Sequence, residues 1–125
     1  MLKERRVGAT IAVADLDRAV AWYRDKLGLE PADKTEGGVM YECAGGTAFS
    51  LYPSQFAGSA QSTLMGWESN DLEKDMEELR GNGVTFEEYD FPGLKTENGI
   101  ADMGSERGCW FKDSEGNTLS LFGRK

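Results

Sequence analysis

Residues 7–28 read VGATIAVADLDRAVAWYRDKLG and hold two elements with the junction between them. Val7–Val13 is rich in β-branched and small residues, which suit an extended chain. Just beyond it stands Asp15, whose carboxylate can accept from the free N–H groups at a helix start. Leu16, Val20, Tyr23 and Leu27 then recur at steps of four, three and four, a single apolar stripe, and Gly28 supplies the left-handed residue on which helices commonly end. The segment predicts a strand over 7–13 and a helix over 16–27.

Outward from this junction, strand candidates follow at 29–34, 38–43 and 47–52, parted by Gly37-Gly38 and Gly45-Gly46. The first half therefore reads β-α-β-β-β. Residues 53–61 turn to Pro, Ser, Gln, Ala and Gly, the composition of a connector. The pattern then restarts. A strand is expected over 62–68, a cap at Asn70 or Ser69 with Glu73 completing a capping box, and an apolar stripe of Leu72, Met76 and Leu79 that stops at Gly81-Asn82-Gly83. Strands over 84–90, 108–113 and 118–122 complete a second β-α-β-β-β, interrupted by a Gly/Pro-punctuated segment over 91–104.

Register supports a duplication. Asp15-Leu16-Asp17-Arg18 matches Asp71-Leu72-Glu73-Lys74 at an offset of 56, while Ala48–Tyr52 lies over Thr118–Phe122, and Tyr41 over Phe111, at 70. The difference of 14 equals the length of 91–104, so one insertion explains both offsets. The expected architecture is α+β: one domain over 1–125 made of two tandem βαβββ units, about 7–52 and 62–123, joined by 53–61.

Strand parity assigns the faces, because neighbouring side chains point to opposite sides of a sheet. Ile11, Val13, Phe49, Leu51, Met65, Trp67, Leu119 and Leu121 are all odd-numbered and large, and should pack beneath the helices. The even set, which includes Thr10, Ser50, Tyr52, Glu68, Ser120 and Phe122, is smaller and more polar, the composition of either a cavity wall or a solvated face. The parity of Tyr41 and Phe111 is left open by the hairpins before them.

Composition narrows the chemistry. The 125 residues carry 14 Lys+Arg against 22 Asp+Glu, a net charge of −8, which repels a phosphate backbone and argues against nucleic acid. No apolar run nears the roughly 18 residues of a membrane span, and MLKERR leads straight into a strand, so a cytoplasmic location is expected. Cys43 and Cys109, without a CxxC spacing, are expected to be reduced, packed thiols. The chain has no histidine, which removes Ser-His-Asp and Cys-His nucleophile systems and His-ligated metals; GxGxxG and GxxxxGK are also absent.

The two units, the passage VADLDRAVAWYRDKLGLEP and the C-terminal FKDSEGNTLSLF together resemble the vicinal oxygen chelate superfamily of glyoxalase I, bleomycin-resistance proteins and extradiol dioxygenases. The resemblance spans about Val7 to Phe122. It implies a curved, half-open mixed sheet with helices on its outer face, two units enclosing a cavity, and a homodimer. It also implies metal ligands on the first and fourth strands of each unit. Those places fall on Gly8, Ser50, Leu64 and Ser120, which are poor donors for a divalent ion, and a one-residue shift to Ala9, Thr63 or Leu119 restores none.

The resemblance therefore implies the metal-free binding branch: capture of a small organic molecule, partly aromatic and neutral or cationic, with no cofactor and no metal. Candidate ligand-binding residues are Thr10, Ser50 and Ser120 for neutral hydrogen bonds, Tyr52 and Phe122 for stacking, and Glu68 for a cationic group or as a general base. An enzyme of the same superfamily, a lyase or oxygenase with a displaced metal site, is the alternative, and a non-catalytic interaction module is a third reading. The 91–104 segment is expected to act as a lid over the cleft.

Overall fold

The computed structural model describes residues 1–125. Strand β1 (Ala9–Val13) runs into Asp15, whose side chain accepts from the Arg18 N–H and opens helix α1 (Leu16–Leu27); Gly28, at φ 72°, closes it. The sequence expectation for this segment holds to within two residues. Strands β2 (Asp33–Thr35), β3 (Gly38–Glu42) and β4 (Ala48–Pro53) follow. The second unit holds β5 (Met65–Glu68), α2 (Leu72–Gly81) and five strands: β6 (Asp90–Phe91), β7 (Leu94–Glu97), β8 (Ile100–Asp102), β9 (Glu106–Lys112) and β10 (Thr118–Arg124). Neither helix, of 12 and 10 residues, is long enough to cross a membrane.

Two sheets result, in the orders β1-β4-β3-β2 and β5-β10-β9-β8-β7-β6. The first and last strands of each unit pair in parallel, with Thr10 opposite Ser50 and Gly66 opposite Ser120, and the remaining pairs are antiparallel. Two tandem βαβββ units with an open mixed sheet are thus present. The odd-numbered strand residues make one core with the helices. Ile11, Val13, Phe49, Leu51, Leu119 and Leu121 are buried, and Tyr23 of α1 stacks on Tyr41 at 5.8 Å. Phe49 meets Trp67 edge-on at 5.8 Å, so the core crosses from one unit to the other. Tyr41 and Phe111, left open by parity, both face this core.

Four local expectations are corrected. The strand expected from Leu29 begins only at Asp33, because the Leu29 N–H is drawn back to the Tyr23 carbonyl as part of the helix end. The cap of α2 is Asp71, not Asn70 or Ser69, and Glu73 reaches Arg107 instead of closing a capping box. The strand expected over 84–90 is reduced to a bridge between Phe86 and Phe111 followed by Glu87 N–H donating to the Trp110 carbonyl. Finally, the inserted segment adds β6, β7 and β8 to the sheet as hairpins and does not lie across its face as a lid.

The last two corrections have one cause. Pairing to β9 starts at Phe86–Phe111 and resumes at Ala101–Gly108, so 15 residues of chain (86 to 101) span three residues of β9 (111 to 108). The excess is looped out within the strand position that β2 fills in the first unit, where Ala32 N–H donates to the Met40 carbonyl as Glu87 does to Trp110.

Candidate functional site

The even-numbered face is the open one. Thr10, Tyr52 and Glu68 are exposed, and Ser50, Ser120 and Phe122 are half-buried. Within one chain these six residues do not line a single cleft. Thr10, Ser50 and Tyr52 share a hollow of about 270 Å³ with Asp33, Thr35 and Met40 of the first sheet. Glu68 and Phe122 lie in a second hollow of about 520 Å³, walled on the other side by Cys43, Ala44 and Thr47 from the β3–β4 turn. Ser120 adjoins the latter: its hydroxyl occupies the space a side chain at Gly66 would need, which explains why that position carries none.

Sequence reasoning missed an aromatic row on the second sheet. Trp110 stands opposite Ser120 in the β9–β10 register and so shares its face. Tyr89 packs against Trp110 at 5.7 Å and Phe91 against Tyr89 at 5.6 Å, with interplanar angles of 65° and 53°, giving a chain of three mutually tilted rings. Rings packed in this way are held rigidly and each offers apolar surface to a ligand. The sequence carries half of the signal: Trp110 precedes Phe111 and must face away from it, but the face of Phe111 itself is left open by parity. Met40 is its counterpart on the first sheet, opposite Ser50.

The ends of the site strands are fixed by the β9–β10 turn, Asp113–Asn117. Glu115 accepts from the backbone N–H groups of Ala14 and Asp15 at 3.0 and 2.9 Å and from Arg18 Nε at 2.8 Å. The Arg18 guanidinium holds its carboxyl down at about 2, against a burial effect that acts the other way. Asp113 accepts from the Tyr23 hydroxyl, from the Asn117 side chain and from two backbone N–H groups, while Asn117 donates to the Ala12 carbonyl at 2.9 Å. Burial and the Asp113 charge push the Tyr23 phenol far above its ordinary value. This turn thereby pins the C-terminal end of β1, and with it Thr10, to the start of β10.

A divalent ion does not suit the places where the resemblance puts its ligands. Gly8 and Leu64 carry no donor, and the Ser50 and Ser120 hydroxyls are weak neutral ones. Nowhere do three Cys, Asp or Glu side chains converge in a metal-binding arrangement. The Cys109 thiol is equally unsuited to nucleophilic work, being buried and pushed up to about 11 by that burial.

Residues 6–121 match the family model of the Glyoxalase/Bleomycin resistance protein/Dioxygenase superfamily, and the chain belongs to that superfamily. The solved structure of UcmS2 is similar in fold, with 20% identity, 94% of this chain and 96% of that chain covered, and a TM-score of 0.74. A glyoxalase / bleomycin resistance protein from Catenulispora acidiphila DSM 44928 shows 21% identity, 96% and 98% coverage, and 0.70. TnmS3, an antibiotic binding protein from Streptomyces sp. CB03234, shows 17%, 97% and 96%, and 0.65. No curated protein matches the chain in sequence.

Proposed function

We propose that this member of the superfamily is a metal-independent binding protein that captures a small, partly aromatic, neutral or cationic organic molecule on its even-numbered faces. Residues 1–125 act as one domain, its units at about 7–52 and 62–123 joined by 53–61. The observation that carries the reading is the pairing of two features on one face: weak or absent donors at the four ligand places, and the row Trp110, Tyr89 and Phe91. Rings supply stacking surface, Thr10, Ser50 and Ser120 orient the ligand with neutral hydrogen bonds, Tyr52 and Phe122 extend the apolar contact, and Glu68 meets a cationic group. The description of TnmS3 as an antibiotic binding protein agrees with capture.

The two half-sites open separately to solvent, which supports a homodimer whose partner subunit would close each of them, and the place of work proposed for it is the cytoplasm. Sedimentation should give twice the chain mass. Calorimetric titration with planar aromatic cations should reveal a saturable site, and Trp110→Ala should weaken it about tenfold, the scale of one lost stacking contact. No saturable site in such a series would sink the proposal. Stoichiometric Zn, Ni, Mn or Fe in purified protein, removable with loss of a reaction, would favour the superfamily enzyme instead.

A further inference from the structure

We propose that the cleft between α1 and α2, on the side of the sheets opposite the even-numbered faces, is a second ligand site that takes a compact aromatic ammonium ion. The cleft has a volume of about 230 Å³. Phe111, Leu121 and Trp67 form its floor, Leu27 and Leu29 one wall, and Leu79, Asp75 and Glu78 the other. One end is tied off where the Asn82 amide donates to the Lys26 carbonyl at 3.0 Å.

The repeat explains why the cleft exists. At the offset of 56, Asp75, Glu78 and Leu79 of α2 stand where α1 has Ala19, Trp22 and Tyr23. In the first unit Ala19 and Tyr23 fill the space beneath the helix and are fully buried, while Trp22, half-buried, reaches across to Phe111 of the second unit at 6.4 Å. In the second unit two rings and a methyl group have been exchanged for one Leu and two carboxylates. A hollow with an apolar floor and an acidic rim is what that exchange leaves.

Charge and size select the occupant. None of the four ion pairs in the chain involves Asp75 or Glu78, so neither acid has a cation within 4 Å. Asp75 is half-buried and accepts from the Ser69 hydroxyl at 2.6 Å, which orients it and leaves its second oxygen unengaged. Unpaired carboxylates beside Trp67 and Phe111 favour a ligand with a ring to bury and an ammonium to donate charge-assisted hydrogen bonds. The volume lies below the roughly 300–1,000 Å³ of drug-sized pockets, which limits the ligand to a single ring with a short ammonium arm.

Benzylammonium is a suitable probe, titrated against the full chain by calorimetry and by backbone amide NMR, with benzyl alcohol and benzoate alongside. Saturable shifts at Leu27–Leu29 and Asp75–Asn82 are expected, with benzyl alcohol at least about tenfold weaker and benzoate not binding. Leu79→Tyr, which restores the residue of the first unit, should close the cleft and abolish binding. Glu78→Gln, an exposed change that leaves the core intact, should weaken it about tenfold. The proposal is overturned by equal binding of benzyl alcohol, by undiminished binding to Leu79→Tyr, or by shifts confined to the even-numbered faces around Thr10, Ser50 and Ser120. It does not depend on those faces being a binding site.

Discussion

The two hairpin turns Cys43–Thr47 and Asp113–Asn117 occupy equivalent places in the repeat, 70 residues apart, and are closed by the same backbone hydrogen bond, yet their side chains do different work. The second is a clamp in which Asp113, Glu115 and Asn117 all reach into the first unit. Its counterpart is Cys-Ala-Gly-Gly-Thr, with Gly45 and Gly46 at φ 67° and 77°, and reaches nothing comparable in the second unit. Where Glu115 fills the start of α1, the 520 Å³ hollow stands beside Asn70 at the start of α2. One copy of a duplicated element holds the fold together, and the other is thereby released to form an opening. The same division runs through the helices, with Tyr23 in the core of one and Leu79 beside the cleft of the other.

Removing the clamp is the hardest test of that division. Glu115→Ala leaves the Ala14 and Asp15 N–H groups and Arg18 without their acceptor, and chemical denaturation should show a loss of about 3 kcal/mol. The sign with pH follows from the lowered carboxyl. Its contribution is complete above its ordinary value of 4.5 and is lost as pH falls toward about 2. In Glu115→Ala that part of the acid transition should vanish; an unchanged profile would mean the turn is passive.

A smaller and sharper contrast uses one substitution at two neighbours. Tyr23→Phe removes the hydroxyl bonded to Asp113 at 2.8 Å and should destabilise by about 1–2 kcal/mol. Tyr41 lies 5.8 Å away, equally buried, but its hydroxyl has no partner, and its counterpart in the second unit is already Phe111. Tyr41→Phe should therefore stabilise by up to about 1 kcal/mol, read as a raised Tm. Equal signs for the two variants would break the comparison.

Much of this architecture was legible in the chain. Asp15, the 16–27 stripe and Gly28 mark the bounds of α1 locally, and odd-even parity finds the core because a one-residue slip would expose every large side chain. Two things were not legible. The insertion was read at 91–104 because its Gly and Pro residues lie there, whereas the chain leaves its pairing just after Phe86, and where pairing breaks is decided by β9, not by local composition. The aromatic row stayed hidden for a related reason: Tyr89 joins Trp110 only through that looped-out segment. The candidate residues Thr10, Ser50, Tyr52, Glu68, Ser120 and Phe122 were chosen by parity alone, which gives the face of a residue but not which hollow it shares.

The acceptor for the Ala14 and Asp15 N–H groups is synthesised 100 residues after them. On the ribosome, the first unit therefore emerges with its helix start unlatched and remains so until nearly the last strand has been translated. A fragment ending at residue 105 lacks this acceptor and should melt without a sharp transition, whereas residues 1–125 should melt cooperatively.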